Sequence, residues 1–233
     1  MIKIRKSSDR GHFDFGWLDT YHTFSFGDYQ DPVHTHFKSL RVINEDFVRP
    51  GEGFPTHAHR DMEIVTFIVE GELEHKDSMG NGSVIRPGDV QRMSAGTGVT
   101  HSEYNPSPKN AVHLLQIWIF PENKNITPGY EQTNFSSEMK KEGLALLASG
   151  SPQKPAVKIH QDAGIYHGFL GPKGKMVYEP EAGRGIWIQM IGGQVSILKN
   201  ILGAGDGAAI EGEKKIEIAA DDKECRFLLF DLK

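Results

Sequence analysis

The 233-residue chain has a net charge of −5, with 24% charged and 38% hydrophobic residues. That is ample apolar material for one or two packed cores, and it lacks the basic excess that steers a protein onto nucleic acid or anionic lipid. A single cysteine, Cys225, excludes an intramolecular disulfide, a zinc finger and a dithiol redox motif, and no apolar run reaches signal-peptide or membrane-span length, so a soluble cytoplasmic monomer is expected.

The 26 glycines and 12 prolines punctuate short runs of β-branched and aromatic residues, which is the rhythm of an all-β protein. Strands are predicted over 40–47, over 63–70 and 72–76 joined at Glu70-Gly71, over 90–94 after the turns Gly80-Asn81-Gly82 and Pro87-Gly88, and over 112–120. The stretches holding His57 and His59, and His101 and Glu103, also read as strands. Residues 122–135, ENKNITPGYEQTNF, are polar and rich in turn formers, and 136–148 space their apolar residues as a short helix would. Further strands follow over 185–191 and 194–198, joined at Gly192-Gly193, and over 226–232. The pattern of strand, glycine turn and strand at Glu70-Gly71-Glu72 recurs at Gly192-Gly193-Gln194, which predicts two related barrels. The expected organisation is a metal-binding barrel over 1–122, a linker with a short helix over 123–155, and a second barrel over 156–233 without a metal site.

The metal expectation rests on two pairs of donors. Side chains alternate faces along a strand, so His57 and His59 share one face, as do His101 and Glu103. Two such strands side by side would aim three imidazoles and one carboxylate at a single point. A lone HxH is more simply a pair of hydrogen-bonded histidines. An HxH and a later HxE, both beside glycine-rich turns, read as ligands of a divalent transition metal. With no thiolate in the set, a structural zinc site is disfavoured, and four protein donors leave coordination positions open for dioxygen or a bidentate substrate, an arrangement suited to Fe(II). Ni, Cu, Zn, Mn or Co are alternative occupants. A second HxH, His34 and His36, follows Asp31-Pro32 in a loop and reads as a rim feature, while His160 and His167 read as structural or exposed. Asn105, Gln116, His113, His75 and Asp77 are available to orient the ligands. Phe54, Met62, Phe67, Met93 and Trp118 are candidates for an apolar pocket, with ordinary core packing the simpler reading of each.

The stretch GEGFPTHAHRDMEIVTFIVEGELEHKDSMGN resembles the first metal-binding motif of the cupin superfamily, and MSAGTGVTHSEYN resembles the second. Within that superfamily, RGHFDFGWLDTYHTFSFGDYQDP, RPGDVQRMSAGTGVTHSEYN and HLLQIWIFP resemble the bacterial pirins, over about residues 5–132 and more loosely beyond. The resemblance implies an all-β bicupin of two antiparallel jelly-roll barrels with a short helical linker. It also implies one iron in the N-terminal barrel on His57, His59, His101 and Glu103. The general cupin glutamate is displaced to Glu63, which strand alternation turns from the metal, and Glu103 supplies the carboxylate instead.

The implied activity is that of a quercetin 2,3-dioxygenase, which opens a flavonol ring with dioxygen and releases carbon monoxide. Glu103 would act as general base toward the flavonol 3-hydroxyl. Two alternatives follow from the same resemblance. One is a non-catalytic, metal-dependent regulatory protein that engages a protein partner; the other is a cupin dioxygenase for another enediol or diketone. The C-terminal barrel has no histidine at the corresponding place, near Tyr178 to Glu181, and is expected to hold no metal.

Overall fold

A computed structural model describes residues 1–152 and 155–233 of the chain, almost wholly as antiparallel strands. The expected strands are present with ends that agree to a residue: Leu40–Val48, Glu63–Glu70, Leu73–Asp77, Asp89–Ser94, Val112–Ile119, Gly185–Gly192, Gln194–Ile197 and Cys225–Leu232. The short helix expected over 136–148 is absent. Turns occupy its first half, and Gly143–Ser149 is a strand paired with Ala163–Leu170. Leucine and alanine favour a helix only weakly, and a waiting strand edge overrides that preference. Gln153 and Lys154, within the expected linker, lie outside the described residues. Among the described residues the one helical element is the single turn Ser7–Asp9, and no helix is long and apolar enough to cross a membrane.

The chain divides into two compact units. One comprises Gly11–Ser136 and Gly150–Gln161, the other Met1–Arg10, Ser137–Ser149 and Asp162–Lys233. In the first, a seven-stranded sheet runs in the order Gly129–Asn134, Asp89–Ser94, Glu63–Glu70, Val112–Ile119, Leu40–Val48, Leu18–His22, Gly11–Asp14. Its partner is a four-stranded sheet in the order Gly53–His59, Val99–Tyr104, Leu73–Asp77, Gly82–Ile85. Apolar side chains of both sheets close one core cluster around Leu18, Val48, Ile68, Leu73, Ile85 and Leu114, and another around Ile64, Met93, Ala95 and Val99.

The second unit repeats this plan. Ile2–Arg5, Gly207–Glu211, Gly185–Gly192, Cys225–Leu232, Ala163–Leu170 and Gly143–Ser149 follow one another in one sheet. Lys175–Tyr178, Ile216–Ala220, Gln194–Ile197 and Asn200–Gly203 form the four-stranded sheet. The first ten residues belong here because Ile2–Arg5 pairs with Gly207–Glu211. The two glycine turns correspond in detail. Gly71 and Gly193 have φ of 81° and 76°, and a Cβ would lie 2.7 Å from Ala111 O at the first and 2.3 Å from Glu224 O at the second. Each position needs both a left-handed backbone and an absent side chain.

Strand Gly53–His59 is held unusually close to Val99–Tyr104, where the pairing register shifts between His101 and Glu103. A Cβ at Gly53 would lie 2.2 Å from Glu103 O and 2.5 Å from Tyr104 Cα. Both neighbouring atoms are backbone, so they can yield only if the strands part. Gly53→Ala is therefore expected to cost about 2 kcal/mol and to lower the melting temperature by roughly 4–8 °C, measured by calorimetry.

Candidate metal centre

The register of the four-stranded sheet assembles the site. His101 stands opposite His57 on one neighbour and opposite Asp77 on the other, while Val99 pairs with His59 and Glu103 with His75. Along Val99–Tyr104 the buried residues are Val99, His101 and Glu103, the alternation that one inward face requires. The donor atoms of His57, His59 and His101 lie within 4.8 Å of one another, and those of His75, His101 and Glu103 likewise. His101 is common to both groups. All four residues singled out from the sequence thus gather around one buried imidazole, with His75 beside them.

Hydrogen bonds fix which nitrogen of each ring is free. His57 Nδ1 donates to the Pro55 carbonyl at 2.8 Å, leaving the lone pair on Nε2. His75 Nε2 donates to Asp77 Oδ2 at 3.2 Å, so its Nδ1 must accept, and the N–H it receives is that of His101 Nδ1 at 3.3 Å. The His101 lone pair therefore also sits on Nε2, which lies 3.0 Å from His57 Nε2. Two lone pairs at that separation repel unless a positive charge lies between them. Two donors each about 2.1 Å from one cation, at right angles, would be about 3.0 Å apart.

Burial favours the neutral form of His59, His75 and His101. Burial pushes His101 down to about 2, with the neighbouring His57, His59 and His75 adding to the effect. Burial, then His57, pushes His59 down to about 4. Burial also lowers His75 against the pull of Asp77. Burial works against ionisation of Asp77 too, but hydrogen bonds from Asn81, His75 and the Met79 N–H hold it below its ordinary range. Burial raises Glu103 to about 7, although Gln116 Nε2 donates to both its oxygens at 3.1 Å. Neutral imidazoles with outward lone pairs and one buried carboxyl are a donor set that fits a first-row divalent ion.

Other sequence candidates have separate roles. His34 and His36 bond locally to Asp31 and Thr35 in their loop. Asn105 braces a turn through Val48 O, Asn110 O and Ser107 N, and His113 pairs with Glu45 and stacks on Phe47. Glu63 is buried away from the histidines, taking hydrogen bonds from Ser94 Oγ and His160 N. His167 is buried in the second unit. There the strand corresponding to Gly53–His59 offers Met176 and Tyr178, packed against Ile216 and Ile218, where the first unit has its donors.

A cavity of about 230 Å³ opens beside the histidines. His57, His59 and Glu103 form one wall, and Phe13, Phe15, Phe26 and Phe54 supply aromatic surface. Of the pocket candidates Phe54 and Trp118 line it, whereas Met93, with Met62 against it, fills the core. Thr20, His22, Asn44 and Asp46, which line it together with Gln116 and Trp118, were not singled out in the sequence. The only sequence signal was the polar Asn44-Glu45-Asp46 interrupting an apolar strand.

The geometry has counterparts in known proteins. The signature of the family described as Pirin matches residues 3–119, and that of a quercetinase C-terminal cupin domain matches 146–232. A protein of Escherichia coli K12 named quercetin 2,3-dioxygenase is 47% identical over 232 residues, covering 100% of this chain and 99% of the relative. A Pasteurella multocida protein named putative quercetin 2,3-dioxygenase is 43% identical, with 100% of both chains covered. The crystal structure of the bacterial pirin YhhW from E. coli in complex with nickel(II) superposes with a TM-score of 0.95 at 46% identity, covering 100% of this chain and 99% of that one.

His75→Phe removes the acceptor that orients His101 without touching a ring that faces the cavity. Metal affinity is expected to fall about 10–100-fold with the fold intact, measured by competition against a chromogenic chelator alongside circular dichroism.

Proposed function

The chain belongs to the pirin family, and on that basis we propose that it is a mononuclear metal-dependent dioxygenase acting on flavonols such as quercetin. We assign His57, His59, His101 and Glu103 as the ligands and Fe(II) as the native ion. Nickel(II), held by the E. coli relative, is a competent substitute for metal loading. The observation that carries this reading is the 3.0 Å approach of His57 Nε2 to His101 Nε2, both left as lone pairs and both beside a cavity with aromatic walls. A divalent ion bound there supplies Lewis acidity to a coordinated hydroxyl and a redox partner for dioxygen.

The protein's own groups do the rest. Phe13, Phe26 and Phe54 offer apolar faces that bind a flat aromatic substrate and exclude water from it. Glu103, steadied by Gln116 at both oxygens, is placed to accept the proton of the flavonol 3-hydroxyl. Loss of that proton makes the ring electron-rich and ready for dioxygen. Ring opening then releases carbon monoxide. Asp77 and His75 keep the His101 ring turned toward the ion throughout. The second unit takes no part in the chemistry.

The test is elemental analysis joined to an aerobic assay. Protein loaded with Fe(II) at one ion per chain is expected to bleach quercetin absorbance. His57→Ala and His101→Ala are each expected to lose the ion and all metal-dependent bleaching while remaining folded. Full iron loading of the wild-type protein with no loss of quercetin would instead indicate a metal-dependent binding module.

A further inference from the structure

Cross-strand register lays a polar row across the inner face of the seven-stranded sheet. His22 pairs with Asn44, Asn44 with Gln116, Gln116 with Thr66, and Thr66 with Gln91. Residues directly opposite one another share a face, so these five side chains form one continuous line. All are buried, and the line separates the apolar cluster around Leu114 from that around Ile64 and Met93. A row of buried polar groups through a barrel core carries a substantial desolvation cost, and its hydrogen bonds show where that cost is recovered.

The centre of the row is satisfied. Thr66 Oγ1 donates to Gln116 Oε1 at 3.1 Å, and Gln116 in turn holds Glu103. The end bordering the cavity is not. Asn44 Oδ1 and His22 Nδ1 have no hydrogen-bond partner among the described residues, although the residues are only 4% and 7% exposed. Trp118 Nε1, on the next row and lining the same cavity, is equally unpartnered. Gln91 Nε2, at the far end, is also unpaired, but Gln91 does not line the cavity. The His22 ring is packed by Phe13 and Phe26, at centroid distances of 5.5 and 5.1 Å, so it is fixed in place with Nδ1 unpartnered.

We propose that Asn44 and His22, with Trp118, are the specificity-determining residues of the cavity, reading oxygen substituents on the substrate beyond the pair that faces His57, His59 and His101. The proposal rests on the dioxygenase reading and deepens it by naming the ligand chemistry. Asn44 Oδ1 is an acceptor and calls for a phenolic hydroxyl. Trp118 Nε1 is a donor and calls for a ring carbonyl or ether oxygen. His22 serves either role according to its tautomer. The Asn44 amide turns about a broad torsional minimum and can meet a ligand without leaving its rotamer. The ligand so described is a planar aromatic compound with hydroxyls beyond the pair that faces the metal site: a polyhydroxylated flavonol rather than an unsubstituted one.

Two ligands and two variants test this. Nickel(II)-loaded protein is titrated anaerobically by calorimetry with quercetin and with 3-hydroxyflavone, which keeps the hydroxyl-carbonyl pair but lacks the other hydroxyls. In Asn44→Leu and His22→Phe the Kd for quercetin is expected to rise about tenfold, as loss of one buried hydrogen bond implies, with 3-hydroxyflavone changed by less than about twofold. Nickel content should stay at one per chain. Asn44→Leu should melt no lower than the wild type, because it removes an unpaired buried polar group. Unchanged quercetin affinity in both variants, or equal losses for the two flavonols, would overturn the proposal. Failure of the wild-type protein to bind either flavonol would overturn the dioxygenase reading itself.

Discussion

Two imidazole nitrogens with unshared lone pairs, held 3.0 Å apart by His57 and His101, are the constraint around which the first unit is organised. Left alone, such a pair would spread. It is kept in place by restraints on the far side of each ring: the Pro55 carbonyl behind His57, and the chain from His75 to Asp77 to Asn81 behind His101. Asp77 in turn takes hydrogen bonds from the Met79 and Asn81 backbone, so a tight turn at the end of strand Leu73–Asp77 determines the tautomer of a ring on the neighbouring strand. The energy stored in bringing the donors together is returned when a cation binds, which couples metal affinity to the rigidity of that turn.

The gathering of His57, His59, His101 and Glu103 was legible in the sequence because it obeys a local rule. A period of two places His57 with His59 and His101 with Glu103, and pairing of the two strands completes the set. The same rule exposed Glu63 as facing away, and its hydrogen bonds with Ser94 and His160 agree. The polar row was not legible, since its five members come from five strands and become neighbours only through register. Residues 143–149 misled for the opposite reason. Their leucines and alanines carry a local helical signal, and only the strand Ala163–Leu170, well downstream, shows why they are extended.

The two units show what a metal site costs a barrel. Where the first has His57, His59 and His101, the second has Met176, Tyr178, Ile216 and Ile218 in contact with an unbroken apolar cluster. The glycine turns at Gly71 and Gly193 share one geometry although the strands that carry polar donors in the first unit carry apolar contents in the second. The backbone plan therefore does not need the donors. They are a burden on the first core, which is split into two clusters with a polar line between them.

That split decides which buried polar groups are explained by the fold and which by a ligand. Gln116 and Thr66 repay their burial within the protein, because together they hold Glu103 where it meets His101. Asp46 repays part of its burial through Thr20, and desolvation still raises its carboxyl to about 7. Asn44 Oδ1 and His22 Nδ1 find no partner among the described residues, although both residues are buried where they border the cavity. An unpaired polar group at the rim of a cavity is the expected signature of a site whose hydrogen bonds are completed by what enters it. On the proposed reading, substrate recognition belongs to the seven-stranded sheet and the metal ligands to the four-stranded one.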